Sequence, residues 1–512
     1  MILQDSYTKN YIKIYFWQGI SLILNFFSMF IVIPYLTANP VIYGVYTICI
    51  SISIFLSYAD LGFISAGQKY ASESFARGKI EEEIKVIGFS NFILLLILIF
   101  FTICFFVLSC YPELIVQGLI DGPAKSIASS LFFILALFTP ITLLQRILQM
   151  ICGVRLEDFI IQRSNIIASI LKILSVLWFF GRDKYDIVGY FGFTQIVNLV
   201  ASIITICIIK KRYNYNFILL LKSIRFRKEV FFRVKNLAFT SFFLTLAWIL
   251  YYELDPIVIG RLLGPKQVAI YAIGLTILSF FRSILGILFS PFNARFNHFI
   301  GNNDKDGLES FFLQIVTILA PLIVLPIVTI SMLVQPLLLS WVGSDYLESV
   351  VIARFLVLCN LFAFITYPTG ILLMAKEKIK DMYLISALLP FVFWIGILGT
   401  FNIWGLKAFA IFKMTAFVLS ALSYYYLMLK YTKVTFIDSL ANIFKPMLVP
   451  ICFVIITCLS INDFLPHQKA KLNLAIVACV AGALIIISFG IQYMFSNKWR
   501  VQVSKIIRSF KN

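Results

Sequence analysis

The sequence contains few charged residues and few residues that bind metals. Only 13% of its 512 residues are charged, about half the fraction of soluble globular proteins, while 61% are hydrophobic. The two histidines and the nine cysteines, none of them in a C-x-x-C pair, argue against a metal site built from these ligands. The sequence also has no Gly-rich phosphate-binding loop. We therefore expect neither a resident metal nor an organic cofactor.

Long hydrophobic runs are what the sequence has instead. A helix that crosses a bilayer needs about 20 mostly apolar residues. Fourteen runs meet this rule, near residues 12–36, 42–64, 86–110, 126–152, 160–180, 187–209, 236–260, 268–291, 311–335, 347–374, 381–402, 404–429, 445–462 and 472–496. The pattern predicts an all-α polytopic membrane protein with about fourteen transmembrane helices.

Lysine and arginine are unevenly distributed between the connections. Alternate connections, counted from the N-terminus, contain 30 of the 43 basic residues, whereas the intervening ones contain 7. Because basic residues accumulate in cytoplasmic loops, the bias predicts that both termini are cytoplasmic and supports an even number of helices. The largest basic cluster, residues 210–235, alternates basic and apolar residues. That alternation is typical of an interfacial amphipathic segment and does not indicate nucleic-acid binding.

Two short stretches occur twice at nearly the same separation. NPVIYGVY (39–46) matches GPKQVAIY (264–271) at an offset of 225 residues, and ILQM (147–150) matches ILLM (371–374) at 224. Each copy spans six predicted helices, so both copies enter the membrane in the same direction. We expect two six-helix lobes related by a pseudo-two-fold axis. The predicted domains are 1–209 (helices 1–6), 210–235 (basic amphipathic linker), 236–430 (helices 7–12) and 431–512 (helices 13 and 14 with a basic tail).

Three stretches resemble a known family. They are IYGVYTICISISIFLSYADLGFISAGQKYASE (42–73), LDPIVIGRLLGPKQVAIYAIG (254–274) and TGILLMAKEKIKDMYLISA (369–387). With the fourteen runs and the basic central loop, they resemble the Wzx-type O-antigen and polysaccharide flippases. These form a branch of the multidrug/oligosaccharidyl-lipid/polysaccharide (MOP) exporter superfamily, which also contains the MATE transporters. The resemblance covers nearly the full length.

The resemblance implies a function and a location. A protein of this family flips undecaprenyl-pyrophosphate-linked oligosaccharide across the bacterial inner membrane by alternating access, with Na⁺ or H⁺ as coupling ion. The implied partners are that lipid-linked oligosaccharide, membrane lipids, a polysaccharide polymerase and a chain-length regulator. Alternatives are a multidrug or cation antiporter, or a peptidoglycan-precursor flippase, of the same superfamily. A membrane polymerase or glycosyltransferase is a less favoured alternative, and we expect no enzyme.

Five basic residues inside the predicted helices are candidates for binding the diphosphate and sugars of such a substrate: Arg146, Lys172, Arg282, Arg354 and Lys413. Lys172 shares one helix face with Gln162, Asn165 and Ser169, and such a polar stripe should face protein or water rather than lipid. Arginine offers a planar fork to phosphate oxygens and lysine a compact charge.

Other roles remain open for these cations. Arg146 and Arg354 lie near enough to helix ends for their side chains to reach the headgroups. Lys172 or Arg282 could instead form a buried ion pair with an intramembrane acid such as Asp255.

Three acids accompany these cations. Asp60 ends the second helix on the predicted cytoplasmic side, and we treat it as a candidate cytoplasmic gate residue, with a helix-end contact as the alternative. Glu253 and Asp255 lie in WILYYELDPIVIG (248–260), where ionised groups cost about 3 kcal/mol each at the centre of a bilayer. On one continuous helix they would point about 200° apart. Asp255 is the candidate for ion coupling or for pairing with a cavity cation, and no role is predicted for Glu253.

Overall fold

The computed structural model describes residues 2–56, 58, 60–119, 122–181 and 184–509. Across these residues the regular secondary structure is entirely helical, with no strand. Long apolar helices follow from the sequence because a backbone in lipid must satisfy its hydrogen bonds within the segment. The chain divides into two compact units, Met1–Ala269 and Ile270–Asn512.

The first unit contains ten helices and the start of an eleventh. Their bounds are α1 (Ile2–Leu36), α2 (Pro40–Leu56), α3 (Phe63–Ala76), α4 (Ile80–Cys110), α5 (Pro123–Val154), α6 (Phe159–Phe179), α7 (Ile187–Tyr213), α8 (Phe217–Ser223), α9 (Lys228–Tyr252), α10 (Asp255–Leu263) and α11 (Pro265–Gly301). Within this unit α1 packs on α6, α6 on α7, α4 on α5, and α3 on both α4 and α9.

The second unit contains the rest of α11 and ten further helices. These are α12 (Lys305–Met332), α13 (Val334–Trp341), α14 (Ser349–Leu358), α15 (Ala363–Ala375), α16 (Ile379–Trp404), α17 (Leu406–Tyr431), α18 (Phe436–Ser439), α19 (Lys445–Ile461), α20 (Lys471–Phe495) and α21 (Asn497–Ser509). A π-helical turn, Leu440–Phe444, joins α18 to α19. In this unit α16 packs on α17, and α12 packs on α14, α15, α19 and α20.

The helices agree with the predicted number of membrane spans. Among the described residues, eleven helices are long and apolar enough to cross a membrane, and two bent pairs raise the number to thirteen. The pairs bend by 44° between Phe239 and Ser241 and by 42° between α14 and α15. The one remaining predicted run, 42–64, corresponds to α2, an apolar helix of seventeen residues. The chain is therefore a multi-pass, all-α membrane protein.

The run predicted at 236–260 is not one helix. Helix α9 begins earlier, at Lys228, and ends at Tyr252, and α10 begins at Asp255. The prediction that Glu253 and Asp255 lie on one continuous helix is therefore wrong. A proline at 256 explains part of the break, because it lacks the N–H that a helix interior needs but fits the first turn of a new helix.

Turns at helix ends repeat between the two units. Gly78 and Asn303, which follow α3 and α11, are 225 residues apart (303 − 78) and both have a positive φ, 74° and 55°. Leu156 and Glu377, which follow α5 and α15, are 221 residues apart (377 − 156), with φ of 54° and 57°. The hydrogen bonds of each pair also correspond, for instance Glu157 N to Cys152 O and Lys378 N to Leu373 O. Non-glycine residues rarely adopt this conformation, so its recurrence supports an internal repeat.

A buried tryptophan, Trp499, connects helix α21 to α12. Trp499 is buried, and its Nε1 donates a hydrogen bond of 3.2 Å to the carbonyl of Ile318. Ile318 lies three residues before Pro321, where a proline disturbs the hydrogen bonds of the helix. The indole ring also stacks on the Phe489 ring and meets the Tyr493 ring edge-on, both on α20.

Candidate functional site

A polar cavity of about 720 Å³ lies inside the first unit. Eight amide side chains line it: Gln18, Asn25, Gln68, Gln145, Gln149, Gln162, Asn165 and Asn198. Five hydroxyl side chains line it as well: Ser21, Thr142, Ser169, Ser202 and Thr205. The charged groups in its wall are Arg146, Lys172 and Asp158. None of the described residues that line it is aromatic, although aromatic residues make up 16% of the chain.

The predicted polar stripe of α6 forms one wall of this cavity. Gln162, Asn165, Ser169 and Lys172 all line it, as expected of a polar face that cannot contact lipid. The Lys172 ammonium donates a hydrogen bond of 2.6 Å to Oδ1 of Asn198 on the adjacent helix α7. One amide oxygen leaves the other N–H groups of the ammonium available to a further acceptor.

The α5–α6 turn contributes a carboxylate that the sequence did not single out. Asp158, just before α6, lines the cavity, and burial raises the pKa of its carboxyl. Gln68 of α3 reaches the same region because Gly153 leaves room for it. A Cβ at Gly153 would lie 2.2 Å from the Gln68 amide nitrogen. The sequence signal for this acid was weak, namely its position in a short turn between two long apolar runs.

The structure brings two sequence-predicted residues, Arg146 and Asp60, into electrostatic contact. Arg146 lines the cavity and donates a 2.6 Å hydrogen bond to Gln149. Asp60 lies between α2 and α3, where its carboxylate accepts hydrogen bonds from the N–H groups of Gly62 and Ile64. Burial raises the pKa of Asp60, and these hydrogen bonds together with the charge of Arg146 counteract that effect. The helix-end contact is therefore present, and the gate role stays a prediction.

Asp60 belongs to a turn that is pressed against the bend of α9. Gly62 has a φ of 76°, and a Cβ there would lie 2.4 Å from the Ala238 carbonyl and 2.7 Å from Ser241 Cβ. These two residues flank the 44° bend. Only glycine fits this position, since both the backbone conformation and the available space exclude a side chain.

The other three predicted cations lie in the second unit and do not line this cavity. Arg354 is exposed, and its Nε donates to the Ser331 carbonyl at 3.3 Å. Lys413 is completely buried, with its ammonium 5.3 Å from the centre of the Phe393 ring. The Arg282 side chain is partly buried on α11. A substrate-binding role stays a prediction for all five cations, and two of the five share a cavity.

The two acids of the interrupted helix occupy different positions. Glu253 lies in the break after α9, and Asp255 is the first residue of α10. Both are buried, and neither lines the polar cavity. A carboxylate in the first turn of a helix is stabilised by the helix dipole, which gives Asp255 a structural reason to be there. Its predicted role in ion coupling stays a prediction.

The chain contains one Asp-x-Asp sequence, Asp304-Lys305-Asp306, and both of its carboxylates bind partners within the protein. The Asp304 carboxylate caps α12 by accepting the N–H of Gly307 at 2.8 Å. Asp306 pairs with Lys433 at 2.7 Å. Among the residues that the structure describes, no group of three or more His, Cys, Asp or Glu side chains is arranged to hold a metal ion.

Solved structures with the same fold are flippases and multidrug transporters. The chain is similar to the lipid II flippase MurJ in an inward closed conformation, with a TM-score of 0.66, 15% identity and alignment over 95% of this chain and 99% of that one. An inward-facing multidrug resistance MATE family transporter of the MOP superfamily gives a TM-score of 0.65 at 14% identity, over 82% and 96%. A MOP superfamily transporter from Pyrococcus furiosus gives 0.54 at 14% identity, over 84% and 97%. No protein-family model and no curated protein matches the sequence.

Proposed function

We propose that this membrane protein, which has the fold of MurJ and the MATE transporters, flips undecaprenyl-pyrophosphate-linked oligosaccharide from the cytoplasmic to the outer leaflet. The cavity of the first unit carries the proposal. It combines thirteen amide and hydroxyl side chains with two cations and a single acid. Amide and hydroxyl groups donate and accept hydrogen bonds as sugar hydroxyls require, and the cations suit a diphosphate.

Lys172 and Arg146 have different depths along their helices. Lys172 is thirteen residues beyond the start of α6, which corresponds to about 20 Å, and Arg146 is eight residues before the end of α5, about 12 Å. The diphosphate replaces the Asp60 carboxylate as the partner of Arg146 and then moves on to Lys172. Away from bulk water both contacts are stronger than they would be at the surface. A Na⁺ or H⁺ gradient, acting through Asp255, drives alternating access.

Deletion of the gene tests the proposal. In a bacterial strain that makes a surface polysaccharide, loss of the protein should abolish that polysaccharide and leave undecaprenyl-linked repeat units on the cytoplasmic face of the inner membrane. Accessibility of the labelled sugar to an enzyme added outside, before and after membrane disruption, measures the leaflet. Unchanged polysaccharide together with normal lipid-linked intermediates would refute the proposal.

A peptidoglycan-precursor flippase is a second candidate, supported by the full-length similarity to MurJ. It makes a different prediction from the first, because loss of such a protein arrests growth whether or not a surface polysaccharide is made. Depletion in a strain without surface polysaccharide separates the two candidates. A multidrug antiporter is favoured less, since the described residues that line the cavity include two cations for one acid and no aromatic ring to stack on an organic cation.

A further inference from the structure

Residues 217–235, here called the elbow, expose an unusual mixture of side chains. They comprise α8, the connection after it and the first turns of α9. Ile218, Leu221 and Phe226 are 69%, 67% and 55% exposed. Between them lie exposed Lys222 and Arg225, and the whole elbow contains six basic residues and one acid, Glu229. Its surface is therefore both apolar and strongly positive.

The inner side of the elbow is firmly attached to the first unit. Leu220 and Ser223 of α8 are buried against α4. The approach is close because position 88 of α4 is glycine. A Cβ at Gly88 would lie 2.5 Å from the Ser223 carbonyl oxygen. A hydrogen bond of 2.9 Å from the Leu219 N–H to the Asn216 side chain caps the start of α8.

A buried ion pair between the ends of α5 and α4 lies beside the residues that lead into the elbow. Arg155, after α5, makes two hydrogen bonds of 2.7 and 3.0 Å to Glu83 of α4. Its guanidinium lies 5.2 Å from the ring of Tyr215, two residues before α8. Arg212 of α7 pairs with Glu157 in the same turn at 2.6 and 2.7 Å. The exposed groups of the elbow are thus held in place before any ligand arrives.

The exposed cations of the elbow outnumber its one acid, Glu229, which is exposed as well. Arg233 pairs with Glu73 at 3.5 Å and Lys235 lies over the Phe232 ring, so both are used within the protein. Lys222, Arg225 and Lys228 are exposed. Exposed apolar side chains next to such cations suit the boundary between headgroups and acyl chains. An acidic protein surface would satisfy the charges but would leave the three apolar groups without a matching apolar layer.

We propose that the elbow is a binding site for anionic phospholipids of the cytoplasmic leaflet. Lys222, Arg225 and Lys228 contact the lipid phosphates, and the apolar side chains at 218, 221 and 226 enter the acyl region. Because α8 is already anchored, little ordering is required on binding. The site is separate from the polar cavity and does not depend on the proposed transport function.

Lipid titration of the purified full-length protein tests this site. Phosphatidylglycerol and phosphatidylcholine are added separately to the detergent-solubilised protein. Hydrogen exchange measures the protection of residues 217–235, and native mass spectrometry counts the bound lipids. We expect phosphatidylglycerol to slow exchange in the elbow and phosphatidylcholine to have little effect. The double variant Lys222→Gln/Arg225→Gln should weaken phosphatidylglycerol binding about 30-fold, since each basic residue near an anionic surface contributes about 1 kcal/mol.

A matched variant separates a specific site from general charge. Lys305→Gln/Lys378→Gln removes the same two charges at exposed positions of the second unit, beside Asp304 and Glu377. It should bind phosphatidylglycerol as the wild type does. Equal protection by both lipids, equal loss in the two variants, or undiminished binding by the elbow variant would each overturn the proposal. Protection by poly-glutamate but not by phosphatidylglycerol would overturn it in favour of an acidic protein partner.

Discussion

Helices α6 and α7 of the first unit and α16 and α17 of the second follow equivalent turns of the repeat, yet their interfaces differ. Between α6 and α7, the Lys172 ammonium binds Asn198 at the wall of the polar cavity. Between α16 and α17, Gly396 lies so close to Phe412 that a Cβ would be 2.0 Å from its ring. One pair of helices encloses polar space, and the other is filled by aromatic side chains.

The buried or cavity-lining lysine lies at a different position in the α6–α7 pair than in the α16–α17 pair. At the offset of the α5–α6 and α15–α16 turns, Lys172 corresponds to Phe393 (393 − 172 = 221). In the second pair the buried lysine, Lys413, lies on the other helix, α17, and over that phenylalanine ring. A repeated backbone therefore presents one lysine to a cavity and buries the other against an aromatic face, where cation–π attraction replaces water.

Removing the two lysines should give the largest contrast. Lys172→Met should lower transport per molecule about 10- to 100-fold, because a hydrogen bond to a charged group contributes about 1.5–3 kcal/mol. Lys413→Met should leave transport per molecule within about twofold, while changing the amount of folded protein. Surface polysaccharide normalised to membrane protein level measures both. Similar losses per molecule in the two variants would show that the contrast between the interfaces has no functional meaning.

Adding a methyl group to the filled interface should have an intermediate effect. Gly396→Ala should destabilise the protein by about 1–3 kcal/mol, since Phe412 would have to leave its position. Gly399→Ala on the same helix is the control, because a Cβ there meets nothing within 4 Å. Thermal unfolding in detergent measures both. A normal melting temperature for Gly396→Ala would mean that the α16–α17 interface is not tightly packed.

The smallest effect concerns two adjacent acids, Glu157 and Asp158, in the turn just before α6. Burial raises the pKa of Asp158. Burial also opposes ionisation of Glu157, but hydrogen bonds from Arg212 and Tyr213 outweigh it and lower the pKa. At pH 7 the ionised Asp158 carboxylate therefore destabilises the folded protein, whereas the ionised Glu157 carboxylate stabilises it.

Asp158→Asn should accordingly raise the melting temperature at pH 7, and Glu157→Gln should lower it. The Asp158 difference should shrink as the pH falls through the raised pKa of the folded chain and vanish below the ordinary pKa of an aspartate. The Glu157 difference should persist down to about pH 4.5, where the unfolded carboxyl takes up a proton, and be lost below it as the pH falls through the lowered pKa of the folded chain. Melting curves from pH 7 to about pH 3 measure both effects. Shifts of the same sign in the two variants would contradict this account of the turn.

Much of the fold could be predicted from hydrophobic runs and charge bias. Each of the fourteen runs is helical over most of its described residues, although 236–260 and 347–374 each cover parts of two helices, because lipid leaves the backbone few alternatives. The polar stripe ending at Lys172 was predictable for the same reason, since helical periodicity alone puts its members on one face. The break at Glu253 was harder to predict, because a proline in the first turn of a helix and a proline inside one look alike in sequence.

The cavity as a whole could not be predicted from the sequence. Its walls come from α1, α3, α5, α6 and α7, and periodicity describes one helix at a time. Asn198 pairs with Lys172 across 26 residues, and the Gln68 and Asp158 side chains both lie near the space left by Gly153. Arg282, Arg354 and Lys413 have the same sequence signature as Arg146, a cation in an apolar run. Only the packing of neighbouring helices separates the two groups.

The attachment of Trp499 to Ile318 also has a consequence for biogenesis. The two residues are 181 positions apart in the sequence. A chain emerges from the ribosome starting at its N-terminus, so α12 enters the membrane long before its indole partner exists. The contact therefore forms only after residue 499 has been synthesised. A product that stops before residue 499 leaves the Ile318 carbonyl without this indole partner, a difference that membrane proteases could recognise.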